Sequence, residues 1–387
     1  MLVYLIAGEA SGDKLGAALM QGLKELCPEV QFIGVGGSLM QAEGLDSLFP
    51  MAELSVMGIA EILPKYRHLL KRMRGTVKSV LDSDCDVLVT IDSPDFCLRV
   101  AKKVKSKRNI RTVHYVAPSV WAWRPNRVQK MIGVIDQVLA LLPFEPPYME
   151  AAGLRCDFVG HPVTSDPLAS DQQVAEFREQ HDFQDAPIML VLPGSRHSEV
   201  SRLTPVFGEV VALINQVRPD IRFVLPAVAT VAGLVRDLTA HWQVAPLVLD
   251  SRNKNTAIVE VEKRAAFRAA DVALAASGTV SLELAASHTP LVVAYDMNWF
   301  SWQIISRMAL IDTVTLVNLV TDTRTVPEFL GPNFRSDAIA PALLDVLAAP
   351  QRQFEAMNRT MNLLGGRDAQ PGRRAAIAIL NGLETNG

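Results

Sequence analysis

The sequence predicts an α/β protein that contains two doubly wound parallel sheets. The first observation is length, because at about 150 residues per domain a chain of 387 residues is long enough for two domains. The second is that short apolar runs alternate along the chain with segments of amphipathic, helical spacing. The third is that these runs are continuous in Val, Ile and Leu, which is typical of strands covered by helices on both faces.

Each half of the chain supplies about six of the predicted strands. They are expected at Leu2–Ala7, Gln31–Val35, Asp86–Ile91, Thr112–Val116, Gln137–Leu141, Cys156–Val159, Ile188–Leu192, Arg222–Leu225, Leu247–Leu249, Val272–Ala275, Leu291–Ala294 and Val314–Val317. The segments that suit crossover helices include Lys14–Leu26, Ile62–Leu81, Val206–Val217 and Ala257–Ala269. From Ala338 to Leu383 the pattern is helical and contains no strand.

A cluster of Pro, Ser and Asp over residues 161–171 separates the two series of strands and marks the expected domain boundary. We therefore predict one domain over residues 1–165 and a second over residues 166–345. Residues 346–387 are expected to form helices that pack on the first domain or on a partner subunit.

Composition excludes several classes of protein. Charged residues make up 20% of the chain, aromatic residues 6%, and the net charge is −3, which fits neither a disordered chain nor a globally basic nucleic-acid binder. The four cysteines form no C-x-x-C pair, so we expect neither a disulfide framework nor a zinc site, and a reducing cytosol suits this usage. No apolar run approaches the roughly 20 residues of a membrane span, and Met1–Gly8 is interpreted as a buried strand rather than a signal peptide.

Positive charge is concentrated in one part of the chain. Between Glu61 and Lys130 there are 16 Lys and Arg residues against 6 acidic ones. A local excess of this size indicates a face turned towards phosphate, nucleic acid or a membrane surface. The alternative is a set of separate, solvated helix faces.

In a doubly wound sheet the ligand site lies beyond the carboxyl ends of the strands. The loop Gly8–Asp13 follows the first strand and predicts either close approach to a ligand or a helix-capping turn. Neither this loop nor the one at Gly34 completes G-x-G-x-x-G, which argues against a dehydrogenase. Asp92 ends the third strand and suits a general base, whereas Asp95 is better explained as a cap of the next helix.

A long loop after the next strand contains Trp121, Trp123, Arg124 and Arg127. Guanidinium groups there can hold a phosphate, and indole rings can cover a sugar or an apolar group. Ordinary packing between domains is the alternative.

Two loops in the second half carry phosphate-binding parts. Gly194, Ser195 and Arg196 follow one strand and offer backbone N–H groups, a hydroxyl and a guanidinium. The turn of Ser277, Gly278 and Thr279 follows another strand and begins a helix that carries Glu283, whose carboxylate can accept hydrogen bonds from ribose hydroxyls. No P-loop lysine is present, so we predict a nucleoside diphosphate that acts as a leaving group rather than a phosphoryl donor.

Motifs over nearly the whole chain match one family of enzymes. They are AGEASGD at 7–13, MQAEG at 40–44, VMGIAEIL at 56–63, IDSPDF at 91–96, HYVAPSVWAWR at 114–124, LLPFE at 141–145, VGHP at 159–162, LPGSR followed by EV at 192–200, and ASGTVSLE at 276–283. On these motifs the chain resembles the lipid-A-disaccharide synthases, which are inverting glycosyltransferases with two Rossmann-like domains facing a cleft, the GT-B type.

The resemblance implies that UDP-2,3-diacylglucosamine donates its sugar to 2,3-diacylglucosamine 1-phosphate. The products would be a β-1′,6-linked tetraacyl disaccharide 1-phosphate and UDP. The first domain would face the acceptor and the membrane, and the second would bind the UDP-sugar. No metal or other cofactor is expected, because a guanidinium and a helix dipole can replace a cation at the diphosphate.

The resemblance also implies roles for particular residues. Asp92 would be the general base. UDP would be bound by Gly194, Ser195, Arg196, Ser277, Gly278, Thr279 and Glu283. Contacts with the sugars and the acceptor phosphate are expected from Glu9, Ser11, Trp123, Arg124, Arg127 and Asn318, and a membrane-facing surface from Ile59, Ile62, Leu63, Lys65, Arg67, Lys71 and Arg72.

Acylated substrates imply a peripheral protein on the cytoplasmic face of the inner membrane, attracted by anionic lipid. A homodimer is left open. Two alternatives to the transferase are a UDP-sugar epimerase of the same fold and a non-catalytic carrier of lipid or nucleotide. The aromatic residues of the basic region are bunched rather than interleaved with the cations, which argues against binding to RNA.

Overall fold

The computed structural model describes residues 1–54, 59–123 and 125–384, without the side chains of residues 59–66, 299–301 and 304. The chain divides into two compact units. One unit comprises Met1–Ser165 together with the segment that begins at Leu364, and the other comprises Asp166–Leu363.

Each unit contains one parallel sheet. In chain order, the strands are β1 (Leu2–Ala7), β2 (Gln31–Val35), β3 (Asp46–Ser47), β4 (Val87–Ile91), β5 (Arg111–Tyr115), β6 (Gln137–Ala140), β7 (Arg155–Phe158), β8 (Ile188–Leu192), β9 (Arg222–Ala227), β10 (Leu247–Asp250), β11 (Val272–Ala275), β12 (Leu291–Tyr295) and β13 (Glu328–Leu330). The first sheet has the order β3-β2-β1-β4-β5-β6-β7, and the second has the order β10-β9-β8-β11-β12-β13. Strand order therefore reverses between β1 and β4 in one sheet and between β8 and β11 in the other, where open α/β sheets bind ligands.

Helices connect these strands and cover the sheets. In chain order, they are α1 (Ala10–Leu26), α2 (Ser38–Ala42), α3 (Ile59–Asp82), α4 (Pro94–Lys105), α5 (Pro146–Glu150), α6 (Asp171–Gln180), α7 (His197–Val217), α8 (Ala232–Thr239), α9 (Thr256–Ala269), α10 (Val280–Ala286), α11 (Trp299–Met308), α12 (Leu316–Thr321), α13 (Ser336–Ala348), α14 (Gln351–Leu363) and α15 (Pro371–Glu384).

Strand β1 shows why the strands are continuously apolar. Tyr4 and Ile6 belong to a buried cluster with residues of α3 and α4, whereas Val3 and Leu5 belong to a cluster with residues of α1 and α15. Since successive side chains of a strand point to opposite faces, a strand with helices on both sides must be apolar throughout. The predicted fold class is confirmed.

Eleven of the predicted strands occur within one or two residues of their predicted ends. The predicted strand Val314–Val317 is wrong, because this segment leads into α12 and the backbone N–H groups of Val314 and Thr315 donate to the carboxylate of Glu328. The edge position of the second sheet is instead filled by β13. The short strand β3 was not predicted, since two polar residues carry no periodic signal.

The C-terminal helices divide between the units. Helix α15 packs on α1 at two glycines: a Cβ on Gly22 would lie 2.7 Å from the Cα of Arg373, and one on Gly372 would lie 2.3 Å from the carbonyl oxygen of Ala18. Helix α14 packs instead on α10 and α12 of the second unit. The second unit therefore extends to Leu363 and not, as predicted, to residue 345.

Within the described ranges, none of the helices is both long and apolar enough to cross a membrane. All four cysteines are free thiols.

Candidate active site

The two predicted anion-binding loops of the second unit line one pocket of about 540 Å³. All seven residues predicted to bind UDP line it, namely Gly194, Ser195, Arg196, Ser277, Gly278, Thr279 and Glu283. The loops meet because β8 and β11 are neighbours in the sheet, with Leu192 paired to Ala275 at their carboxyl ends. The pocket therefore lies where the strand order reverses.

Two glycines allow the backbone to form this pocket. Gly194 has a φ of 111° and Gly278 a φ of 140°, in the region that residues with a Cβ rarely adopt. A Cβ on Gly194 would lie 2.6 Å from Oε2 of Glu199, so the missing side chain admits that carboxylate. A Cβ on Gly278 would meet no atom within 4 Å, so Gly278 borders open space.

Glu199 holds the donors of the first loop. Its Oε2 accepts from the backbone N–H groups of Ser195 and Arg196 at 3.3 and 3.4 Å. Its Oε1 accepts from Nη1 of Arg196 at 2.9 Å. Such a site satisfies a carboxylate with the same donors that would bind phosphate oxygens.

Glu283 is also paired with a cation. Its Oε2 lies 2.5 Å from Nζ of Lys263, which projects from α9 into the same pocket. Sequence reasoning did not assign a role to Lys263 or to Glu199. Lys263 is twenty residues from its partner, so no local pattern joins the two.

In the first unit, strained backbone surrounds the predicted general base. Asp92 and Ser93 have φ values of 51° and 43°, and Val116, at the end of the neighbouring strand, has a φ of 85°. A β-branched residue with positive φ is a conformational outlier, and such strain clusters at functional sites. The Asp92 N–H donates to the carbonyl of Tyr115 at 3.0 Å, which fixes Asp92 at the carboxyl edge of the sheet.

The loop after β1 lies directly against Ser93. A Cβ on Gly8 would lie 2.4 Å from Oγ of Ser93, so a glycine is required for this approach. Glu9, at the N-terminus of α1, is half-buried, and Ser11 in its first turn is exposed. The predicted loops at residues 8–13 and 92–95 are thus brought together.

Glu145 is a buried carboxylate that sequence reasoning did not single out. It is only 4% exposed, and it accepts from the Trp121 indole N–H at 3.2 Å and from the N–H groups of Leu141 and Leu142 at 3.1 and 3.0 Å. Trp121 also packs edge-on against Phe144, with ring centroids 5.0 Å apart. The LLPFE motif therefore fixes the tryptophan loop. Its signal in the sequence is an acidic residue directly after an apolar run.

The remaining residues that were predicted to contact the sugars and the acceptor phosphate lie in different surroundings. The guanidinium of Arg127 stacks on the Trp123 ring, with its carbon 5.5 Å from the ring centroid. Arg124 lies outside the described residues. The prediction of a sugar contact by Asn318 is wrong, because this side chain is fully buried and its amide bonds to Thr313 and to the backbone of Val326.

The predicted membrane-facing surface is described only in part. Arg67 and Lys71 are exposed. Arg72 is instead tied to the fold, since it donates to both oxygens of Glu53 and lies 4.7 Å above the Phe49 ring. The side chains of Ile59, Ile62, Leu63 and Lys65 lie outside the described residues.

Among the side chains that are described, no group of three or more His, Cys, Asp or Glu residues is arranged to hold a metal ion.

The fold has counterparts among solved structures. A UDP-GlcNAc 2-epimerase from Neisseria meningitidis, bound to UDP-GlcNAc, matches with a TM-score of 0.65 at 12% identity, over 99% of this chain and 100% of that one. A glycosyltransferase from Rickettsia africae matches with a TM-score of 0.63 at 12% identity, over 100% and 99% of the two chains. The fold is thus the two-domain α/β class to which these two enzymes belong, the GT-B type.

The sequence comparisons identify the family within this class. The family model described as lipid-A-disaccharide synthetase matches residues 3–378. A lipid-A-disaccharide synthase of Ruegeria pomeroyi is 57% identical over 383 residues, which cover 99% of this chain and 96% of that protein. The chain belongs to the lipid-A-disaccharide synthase family, and it is a glycosyltransferase of lipid A biosynthesis. The predicted family and enzyme class are confirmed.

The buried Glu145 generates a prediction about pH. Burial raises its pKa from 4.5 to about 7, so between these values the folded protein holds more protons than the unfolded chain. The contribution of Glu145 to the free energy of unfolding therefore falls as the pH rises through this range. In Glu145→Gln this contribution is lost, and the variant should gain stability relative to wild type between about pH 5 and about pH 8. Urea denaturation at both pH values measures the difference.

Glu150→Gln is a matched control, because Glu150 is exposed and lies on the adjoining helix α5. Its stability relative to wild type should stay nearly constant between the two pH values. A constant difference for Glu145→Gln as well would contradict the raised pKa of Glu145.

Proposed function

We propose that this glycosyltransferase transfers 2,3-diacylglucosamine from UDP-2,3-diacylglucosamine to 2,3-diacylglucosamine 1-phosphate with inversion. The pocket that joins the two glycine-containing loops and Glu283 carries this proposal, because it combines phosphate donors with a carboxylate for a ribose. The diphosphate would bind at Gly194–Arg196 and at the turn of Ser277, Gly278 and Thr279. Glu283 would accept hydrogen bonds from the ribose hydroxyls.

Asp92 is assigned as the general base. The hydroxyl oxygen of the acceptor attacks the anomeric carbon of the donor, and the bond from that carbon to the diphosphate oxygen breaks. The hydroxyl proton passes to the Asp92 carboxylate, and the bonding electrons leave with UDP. Arg196 stabilises the negative charge that develops on the diphosphate. A fixed cation lowers the activation barrier most where charge develops in the transition state. Attack from the face opposite to the leaving group gives inversion.

The first unit would bind the acceptor. Glu9 and Ser11 belong to the loop that approaches Ser93, and Trp123 and Arg127 form a stacked pair on the long loop after β5. An indole face suits a sugar ring, and a guanidinium suits the 1-phosphate of the acceptor.

The reaction can be tested with synthetic donor and acceptor of defined acyl chains. We expect UDP release that depends on the acylated acceptor. We also expect a disaccharide 1-phosphate whose mass equals that of the UDP-sugar donor plus that of the acceptor, minus that of UDP. Interconversion of the free UDP-sugar without acceptor would instead support the epimerase, and binding without turnover would support a carrier.

Asp92→Asn should lower turnover by about 10²- to 10⁴-fold, the usual contribution of a general base. Its KM for the donor should change little, because Asp92 is assigned to the acceptor hydroxyl. Asp95→Asn is the matched control, since Asp95 is exposed in the first turn of α4, and it should remain within a few-fold of wild type. Near wild-type turnover in Asp92→Asn would remove the assignment.

We further propose that the protein binds peripherally to the cytoplasmic face of the inner membrane. The exposed residues Arg67, Lys71 and Arg74 are spaced at three and four positions along α3, so they share one helix face. Each cation near an anionic bilayer contributes about 1 kcal/mol to binding. Binding to the bilayer through this face would bring the protein to the membrane in which the phosphorylated, acylated acceptor lies.

Anionic vesicles should therefore co-sediment with the protein at low ionic strength, and neutral vesicles should do so far less. Lys71→Gln combined with Arg74→Gln should weaken this binding more than Lys102→Gln combined with Lys103→Gln, which removes the same charge from the exposed side of α4. Equal binding to both vesicle types, or equal loss in both variants, would contradict a docking face on α3.

A further inference from the structure

Lys263 is held in a fixed position in the wall of the pocket. Its ammonium lies 2.5 Å from Oε2 of Glu283 and 5.3 Å above the centroid of the Phe267 ring. Phe267 is itself only 3% exposed and lines the same pocket. A carboxylate and an aromatic face therefore restrain one ammonium group from two directions.

The charges around the pocket give this ammonium a function. The lining includes two cations, Arg196 and Lys263, together with four carboxylates, those of Glu199, Glu260, Glu262 and Glu283. A diphosphate entering such a pocket meets more negative than positive charge. An unpaired Glu283 would repel it, with part of the repulsion screened by solvent because this side chain is 38% exposed.

The ammonium also restricts the orientation of Glu283. The contact with Nζ of Lys263 is made by Oε2, so this ion pair restrains the carboxylate. A carboxylate that must accept from ribose hydroxyls binds more tightly when it is ordered before the ligand arrives.

We propose that Lys263 is a positioning residue for nucleotide binding, which neutralises and orients Glu283 so that this carboxylate can accept from the ribose beside an anionic diphosphate. The inference rests on the proposed function, because it takes the pocket to be the UDP site. Lys263 acts through Glu283 and is not itself assigned a contact with the reacting atoms.

A double-mutant cycle measured by calorimetry with UDP tests this role. Lys263→Met in the wild-type background should weaken UDP binding about 10-fold, which corresponds to about 1.4 kcal/mol. In the Glu283→Gln background the same substitution should weaken binding by less than about 3-fold, because the carboxylate on which it acts has been removed. Lys263→Arg should retain most of the affinity.

Kinetics separate positioning from a merely structural role. Lys263→Met should raise KM for the UDP-sugar and leave kcat within about 2-fold, since the lost interaction is made equally in the ground and transition states. Its melting temperature should match that of the control Lys24→Met, which breaks a comparable pair between Lys24 and Glu43 at 2.7 Å. Neither Lys24 nor Glu43 lines the pocket, and the Lys24→Met variant should bind UDP within about 2-fold of wild type.

Three outcomes would overturn the inference. The first is an unchanged affinity in Lys263→Met. The second is an equal loss in both backgrounds, which would mean that Lys263 contacts the nucleotide directly. The third is an equal loss in Lys24→Met, which would mean a general effect of charge. Failure of the proposed function looks different. In that case wild type would not bind UDP, or Arg196→Ala would bind it as well as wild type.

Discussion

The pairing of two neighbouring parallel strands is the constraint on which the pocket of the second unit depends. Leu192 of β8 pairs with Ala275 of β11, so the two loops that follow must begin side by side at the carboxyl edge of the sheet. Both loops then turn at a glycine with positive φ, which exposes backbone N–H groups where a side chain would otherwise stand. Arg196 and Glu283 follow these turns, so their separation is set by the register of two buried strands. A rigid sheet thereby orders donors that are far apart in sequence.

Much of this arrangement could be predicted because it is encoded locally. A continuous apolar run that ends in a small, polar turn specifies a buried strand and the loop after it within about ten residues, which is why the strand ends and the two loops that line the pocket could be predicted. Val314–Val317 failed for a reason that is also physical. Its apolar residues suit a strand. However, the carboxylate of Glu328, more than ten residues away, accepts from the N–H groups of Val314 and Thr315, and α12 begins directly after them. The same network, which includes Thr313 and Asn318, buries the amide that the sequence had suggested for sugar binding.

The partners of the site residues could not be predicted from the sequence, with one exception. Glu199 lies three residues from Arg196, at the spacing of one helical turn, and could have been recognised as a competing partner. Lys263 meets Glu283 only because α9 and α10 border the same pocket, and Glu145 meets Trp121 across a long loop. Such pairs depend on tertiary structure, and a single sequence contains no pattern that joins them. The strain at Val116 is likewise a property of the folded backbone, since a β-branched residue does not favour positive φ.

Both cations that line the pocket are already paired with carboxylates before a ligand arrives, Arg196 with Glu199 and Lys263 with Glu283. These two pairs have opposite consequences. In the proposed function, Glu199 occupies donors that a diphosphate would need, so binding would exchange one anion for another, and the net gain would be smaller than the sum of the new contacts. In the same proposal, Glu283 would keep its partner while it accepts from the ribose, so that this pair would add order without competing. A transferase must bind its donor and then release a nucleoside diphosphate. Under the proposed function, the carboxylate of Glu199 would favour that release by returning to the vacated donors, whereas the Glu283 carboxylate, paired with Lys263, would hold the nucleoside in place during transfer.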